Sequence, residues 1–216
     1  MEQNLSKKTR TESDLIGSRE VPESALYGVQ TLRGIENFRI SKFHLNEYPL
    51  FIQALAITKM GAAVANRELD LLTEEQADAI LKACKEILEG KHHDQFPVDM
   101  IQGGAGTTTN MNANEVIANR ALELMGHQRG EYQYCSPNDH VNRSQSTNDA
   151  YPTAIHIGLY YTHLKLVKHF EVLIESFRKK ATEFAHVIKM GRTQLEDAVP
   201  MTLGQTFNGF ASILRH

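Results

Sequence analysis

YPTAIHIGLYYTHLKLVKHFEVLIESFRKKATEFAHVIK, residues 151–189, is the stretch that decides the fold. Its apolar residues recur at steps of three and four, the spacing of one face of an α-helix. They are Leu159, Leu166, Phe170, Leu173, Phe177, Ala181, Phe184 and Ile188. At 1.5 Å per residue the predicted helix is roughly 55 Å long, several times the usual length in globular proteins. We therefore predict a bundle of long helices, within the chain or between subunits.

Two residues of types that commonly end or begin helices follow this stretch. Gly191 is predicted to end it, and Pro200 to open a further helix. The apolar stripe of that further helix consists of Leu203, Phe207, Phe210, Ile213 and Leu214. The polar segment from Gly191 to Pro200 has the composition of an ordinary helix–helix connection. Because the last stripe is still incomplete at His216, we expect the sequence to be truncated.

Upstream of the long helix, three shorter helices are predicted. Pro49 suits the first turn of a helix, and Thr73-Glu-Glu-Gln76 is typical of a capping box opening a second helix that Gly90 stops. A third helix is predicted from about Asn112 to Met125, with Gly126 as its stop. Residues 1–47 carry mixed signals. The sequence thus predicts a mainly α protein, with a small mixed domain at residues 1–141 and the start of a long-helix bundle at residues 142–216.

The composition excludes several classes of function. Lys and Arg number 23 against 26 Asp and Glu, a formal charge of −3, so the chain lacks the basic field that nucleic acid binding requires. No apolar run reaches the roughly 18 residues of a membrane span, and the polar N-terminus lacks the apolar core of a signal peptide. Two cysteines exclude a disulfide framework. We expect a soluble protein of the cytoplasm, without nucleic acid or membrane partners.

Three polar segments precede predicted helices and are candidates for chemistry. The first, Gln102–Asn112, combines glycines with threonines, which allow close approach of backbone N–H groups and hydroxyl donors to an anion. The second, Asn142–Asp149, has more small hydrogen-bonding side chains than one helix cap requires. Each could instead be structural, the first a flexible loop and the second an elaborate N-cap. The third is the segment Gly191–Pro200.

The remaining candidates have structural explanations. His92, His93 and Asp94 lack matching ligands at the spacing of a zinc site, so we expect an exposed loop and no metal. Cys84 lies on an apolar helical stripe and is predicted to be a packed thiol. Cys135 is close to His140 in sequence, but nothing marks it as an activated nucleophile.

Taken together, these segments resemble the aspartase/fumarase superfamily over nearly the whole chain. The strongest matches are the following strings: Gln95-Phe-Pro-Val-Asp99, Gln102-Gly-Gly-Ala-Gly-Thr-Thr-Thr-Asn-Met-Asn112, Gly130-Glu-Tyr-Gln-Tyr134, Pro137-Asn-Asp-His-Val-Asn142, Gln145-Ser-Thr-Asn-Asp149 and Gly191-Arg-Thr-Gln-Leu-Glu-Asp-Ala-Val-Pro200. Several of these strings are closer to the aspartases than to the fumarases of the superfamily. The resemblance implies reversible deamination of L-aspartate to fumarate and ammonia, without an organic cofactor. Fumarate hydratase, or a noncatalytic helical assembly protein, is the alternative.

The resemblance also implies how charge is stabilised in the reaction. A base removes a proton next to the β-carboxylate, and the charge spreads into that carboxylate as an enediolate. Donors aimed at this charge are the dominant catalytic contribution. By position, Thr107, Ser146 and Thr147 would hold the β-carboxylate, and Asn148 would face the departing amine.

The rest of the implied site comes from other segments. Thr193 would hold the α-carboxylate with Gln194 beside it, at a position where fumarases and some aspartases have histidine. Arg33 stands where the family has an arginine linked to substrate binding. The family's base is a serine in a Gly-Ser-Ser-x-Met-Pro-x-Lys loop, which is absent here and expected downstream of His216. The family also forms homotetramers whose sites combine several subunits, so we expect the 216-residue chain alone to be inactive.

Overall fold

The computed structural model describes residues 8–215 and is mainly α-helical. Its regular elements are β1 (Thr9–Asp14), β2 (Gly17–Pro22), α1 (Val29–Asn37), α2 (Pro49–Glu68), α3 (Glu74–Leu88), α4 (Thr107–Leu124), α5 (Thr147–Glu183), β3 (Ile188–Thr193), β4 (Glu196–Thr202) and α6 (Leu203–Arg215). Short 3₁₀ turns at Leu45–Glu47 and His93–Gln95 and a π-helical turn at Pro137–Val141 complete them. The first seven residues of the polar N-terminus, and His216, lie outside the described part. Within residues 8–215 no helix combines the length and apolar character needed to cross a membrane.

The chain forms two compact units, divided between Leu159 and Tyr160. In the first unit, α2, α3 and α4 pack around one apolar core. Its largest fully buried apolar side chains are Phe96, Leu45, Ile52, Leu55, Ile80, Ile87, Ile117 and Leu122. β1 and β2 form an antiparallel hairpin in the same unit. This core positions the starts of α4 and α5, where the candidate residues of the first two polar segments lie.

The start of α1 is held by two buried carboxylates from distant parts of the chain. Glu115 on α4 accepts hydrogen bonds from the backbone N–H groups of Gly28, Gln30 and Thr31 at 2.8–3.0 Å. Glu12 on β1 accepts the remaining one from Val29 at 3.0 Å. All four N–H groups at the start of α1 therefore have acceptors, and negative charge is favoured there. Burial nevertheless raises the pKa of Glu115.

Several predicted helix boundaries are confirmed. α2 begins with Pro49. Thr73 caps α3 by accepting from the Gln76 N–H at 3.2 Å, and the Gln76 side-chain oxygen accepts from the Thr73 N–H at 3.2 Å. Gly90 and Gly126 follow α3 and α4 with φ angles of 87° and 83°, the left-handed conformation that ends helices.

Other boundaries differ from the prediction. α4 begins at Thr107 rather than near Asn112, because polar residues of its first turns are buried and do not extend the apolar stripe. α5 begins at Thr147 rather than near Tyr151, and it ends at Glu183 rather than near Lys189. Its 37 residues still make it by far the longest helix of the described chain.

The second unit contains the largest error of prediction. Pro200 does not open a helix but lies in β4, paired with Met190 of β3, and α6 begins at Leu203. Gly191 marks an irregularity in the register of this hairpin, where a Cβ atom would lie 2.9 Å from the carbonyl oxygen of Val199. The glycine therefore serves a close approach of two strands, and the segment is not an ordinary helix–helix connection.

A cluster of phenylalanines packs the helices of the second unit. Phe177 on α5 and Phe184, the first residue after that helix, contact Phe207 on α6, with ring centroids 6.1 and 5.8 Å apart. Phe210 lies 5.6 Å from Phe177. Gly204 lets α6 approach the backbone of α5, because a Cβ atom there would overlap the main chain near Ala185.

Candidate functional site

The glycine-rich segment leads directly into α4. Gly104 and Gly106 have φ angles of 75° and 82°, and Gly106 is the N-cap residue. A Cβ atom at Gly106 would overlap the ring of Tyr151, so glycine is required for this segment to contact α5. Thr107, the first residue of α4, is exposed. Its hydroxyl thus lies at a helix N-terminus that favours an anion.

The start of α5 uses only part of its polar side chains for capping. The Ser146 hydroxyl accepts from the Asn148 N–H at 3.1 Å, and the Asp149 carboxylate accepts from the Ser146 N–H at 3.2 Å. These two bonds make the predicted N-cap. Asn148 is exposed, and the Thr147 hydroxyl accepts instead from the Asn110 amide of α4 at 3.1 Å. The first two candidate segments are therefore joined directly, through Asn110 and Thr147.

A lysine that the sequence analysis missed supports the second segment. Lys59 on α2 is 0% exposed, and its Nζ donates to Asn142 Oδ1 at 2.9 Å and to Gln145 Oε1 at 3.0 Å. Burial lowers the pKa of Lys59 to about 7. The sequence signal for this burial was the position of Lys59, four residues from both Leu55 and Ala63 on the buried face of α2. A lysine in such a place indicates a buried partner or a function.

Arg33 and Thr107 line one cavity of about 630 Å³ in the first unit. The Arg33 guanidinium donates to both carboxylate oxygens of Asp14, at 2.8 and 2.9 Å, and to the Gly17 carbonyl at 2.9 Å. The hydrogen bond from Arg33 lowers the pKa of Asp14. The wall also contains Tyr132 and Asn138. In this structure the arginine is thus committed to a protein carboxylate while it faces the cavity.

Thr193 and Gln194 lie in the second unit, at the tip of the β3–β4 hairpin. Thr193 pairs with Glu196, which leaves a two-residue turn of Gln194 and Leu195. These turn residues have φ angles of 46° and 68°, a combination typical of a type I′ turn but usually supplied by Asn and Gly. Both are exposed. The strained backbone holds the Gln194 side chain at the hairpin tip.

The other candidates have structural partners. His92 bonds with Glu86 at 3.0 Å and His93 with the Ile87 carbonyl at 2.8 Å, in a short helical turn rather than an exposed loop. Among residues 8–215 no three side chains of suitable type could hold a metal ion together. Cys84 and Cys135 are buried, and burial raises the pKa of each to about 12. Both stay thiols at neutral pH, and the prediction of a packed Cys84 is confirmed.

The described part of the chain is mainly helical, and hydroxyl and amide groups lie at the starts of α4 and α5, which the Asn110–Thr147 hydrogen bond joins. A family model described as "Lyase" matches residues 17–216. The chain belongs to this lyase family, and the resemblance to the aspartase/fumarase superfamily is confirmed by relatives of both kinds.

Among curated relatives, an aspartate ammonia-lyase of Pseudomonas fluorescens is 59% identical over 95% of this chain and 43% of its own length. That of Escherichia coli K12 is 56% identical over 98% of this chain and 44% of its own length. A solved fumarate lyase:delta crystallin of Brucella melitensis matches with a TM-score of 0.89 at 53% identity, covering 96% of this chain and 48% of that one. A class II fumarase of Schistosoma mansoni has a TM-score of 0.84 at 38% identity, with 96% and 44% covered. The chain thus spans less than half the length of these relatives.

Proposed function

We propose that the complete gene product catalyses the reversible deamination of L-aspartate to fumarate and ammonia. The observation that carries this proposal is the 56–60% identity to several proteins named aspartate ammonia-lyase. In the reaction a base takes a proton from the β-carbon, the resulting electron pair forms the C=C bond, and the C–N bond breaks to release the amine. Negative charge passes through the β-carboxylate before the amine leaves.

Thr107, Ser146 and Thr147 are proposed to bind the β-carboxylate. The contact between Asn110 and Thr147 supports this assignment, because it brings the starts of α4 and α5 together. Helix N-termini stabilise negative charge, and hydroxyl donors there need no rearrangement as that charge develops. The Ser146 oxygen accepts a backbone N–H, which leaves its own proton to be donated.

The remaining assignments use the other exposed groups. Asn148 is proposed to accept from the amine, Thr193 to bind the α-carboxylate, and Gln194 to lie beside it. Arg33 is proposed to bind substrate from the cavity wall shared with Thr107, where it is paired with Asp14 in this structure. The base is proposed to be the serine of a Gly-Ser-Ser-x-Met-Pro-x-Lys loop, a string that residues 1–216 do not contain.

The proposal extends to assembly and location. A homotetramer in the cytoplasm is proposed, with residues 1–141 as an N-terminal domain and residues 142–216 as the start of the bundle. Large apolar side chains on α5, including Leu159 and Val172 at 59% and 67% exposure, support a partner for this helix. Partner helices would remove these side chains from water.

The test is an absorbance assay for fumarate with the complete gene product and L-aspartate. Thr107→Val should lower kcat/KM on the order of 100-fold, because it removes one donor to the developing charge. Thr108→Val is the matched control, since it alters the adjacent threonine and keeps the methyl group that packs on Gly34. The 216-residue chain alone should release no fumarate.

Fumarate hydratase is the second candidate, supported by the match to the Schistosoma mansoni fumarase. Incubating the complete gene product with fumarate, with and without added ammonium, separates the two activities: the lyase forms aspartate, and the hydratase forms malate. Formation of malate without aspartate would overturn the proposal in favour of the hydratase. If neither aspartate nor malate forms, the result favours a noncatalytic assembly protein.

A further inference from the structure

We propose that a buried chain of side chains, Lys59–Asn142–Asn110, fixes the direction of the Thr147 hydroxyl so that its proton is available to a bound carboxylate. Lys59 and Asn110 are then positioning residues that act on substrate through Thr147. This inference rests on the proposed function, in which Thr147 binds the β-carboxylate.

The direction of the hydrogen bonds is set at Lys59. Its Nζ has donors for both bonds, three as an ammonium and two as an amine, so Asn142 and Gln145 turn their oxygens toward it. Their amide NH₂ groups must then point away, and both find backbone acceptors. Asn142 Nδ2 donates to the Gln145 carbonyl at 3.0 Å, and Gln145 Nε2 donates to the Val141 carbonyl at 2.9 Å.

The fixed Asn142 oxygen in turn orients Asn110. Asn110 Nδ2 donates to Asn142 Oδ1 at 3.1 Å and to Thr147 Oγ1 at 3.1 Å. A flipped amide would place two oxygens against each other. Asn110 is 1% exposed, and its Oδ1 has no hydrogen-bond partner among the described residues. A buried carbonyl oxygen without a partner costs roughly 1–3 kcal/mol. The hydrogen bonds of the network therefore keep the Asn110 amide in this orientation despite the cost of leaving its oxygen unpaired.

The last link is the Thr147 hydroxyl. Its oxygen accepts from Asn110, so its single proton must be donated elsewhere. Threonine within a helix commonly returns that proton to a carbonyl of the preceding turn. Thr147 is the first residue of α5 and has no preceding helical turn. The proton is therefore directed toward the helix N-terminus, where an anion binds.

A double-mutant cycle on the complete gene product tests the inference, with kcat/KM for L-aspartate and thermal stability measured for each variant. In Asn110→Asp the side chain has acceptors only. The Thr147 hydroxyl then donates its proton to the introduced carboxylate and no longer to the substrate. We expect kcat/KM to fall on the order of 100-fold, as for removal of one donor. In Thr147→Val the hydroxyl itself is absent, and adding Asn110→Asp should then lower kcat/KM no further. Losses that multiply in the double variant would overturn the inference.

Two further variants separate the possible failures. Asn114→Asp makes the same change one turn along α4, at a residue that is 0% exposed and contacts the Met111 sulfur at 3.4 Å, so it controls for a buried charge on this helix. An equal loss in Asn114→Asp counts against a specific role of Asn110. Lys59→Met removes the group that sets the direction and should lower kcat/KM even where Asn110→Asp does not fold. A folded Lys59→Met with wild-type kcat/KM refutes the inference. If Thr147→Val keeps full activity, the proposed role of Thr147 in substrate binding fails instead.

Discussion

The stability of the chain should depend on pH through Lys59. Burial lowers the pKa of this lysine from its ordinary 10.5 to about 7 in the folded chain. Between these two pH values the unfolded chain keeps the lysine proton and the folded chain releases it. Stability rises with pH wherever the unfolded state binds more protons, so the contribution of Lys59 is least favourable below pH 7 and improves above it.

The magnitude follows from the size of the pKa shift. One proton is worth about 1.4 kcal/mol per pH unit, so the full shift from 10.5 to about 7 amounts to roughly 5 kcal/mol. Between pH 7 and about 8.5 the folded lysine passes from half to nearly full deprotonation. The free energy of unfolding should therefore rise by roughly 1 to 2 kcal/mol over this range because of Lys59 alone.

Urea denaturation of the wild-type chain and of Lys59→Met at several pH values isolates this contribution. Methionine does not titrate, and all other groups are shared, so the difference between the two free energies of unfolding reports Lys59. Work between pH 6 and about 8.5 avoids the buried cysteines, whose pKa of about 12 opposes the trend at higher pH. A difference that stays constant over this range would show that the lysine is charged throughout, and would refute the reasoning.

Three further predictions concern the stability of the fold, each measured by urea denaturation. Leu195→Gly should stabilise the chain by about 1 kcal/mol, because glycine adopts the observed φ of 68° without strain, whereas Leu195→Ala should not. Gly34→Ala should destabilise by roughly 1–3 kcal/mol, because its Cβ overlaps the methyl group of Thr108, and adding Thr108→Ser should restore most of the loss. Thr73→Ala should cost about 1 kcal/mol through loss of the capping box, while Thr73→Ser keeps the hydroxyl and most of the stability.

The sequence predicted those features of the fold that are encoded by neighbouring residues. The capping box at Thr73 and the glycines at positions 90 and 126 act within one or two turns of a helix, so their effect is visible in the order of residues. The long helix was also predictable, because its apolar stripe persists over many turns. The two ends of this helix were not predictable, because the polar residues at its start and the strand after its end do not continue the apolar stripe.

The missed features depend on contacts between distant residues. Lys59 is buried because Asn142 and Gln145, 83 and 86 positions further on, supply its acceptors. The β3–β4 hairpin is stabilised by cross-strand pairing, and the four-residue step from Phe184 to Ile188 fits a helix equally well. For the same reason the candidate residues could be named only by resemblance to a family. The contact of the first two polar segments through Asn110 and Thr147 became visible only in the fold.

The cap that Glu115 forms on α1 has a consequence for synthesis of the protein. Gln30 receives its acceptor from a residue 85 positions later, and at about 5–20 residues per second those residues take roughly 4 to 17 s to translate. During that interval three N–H groups at the start of α1 have water as their partner, although all residues of α1 have already been translated. The segment that contains α1 therefore stays without this cap until Glu115 has been synthesised.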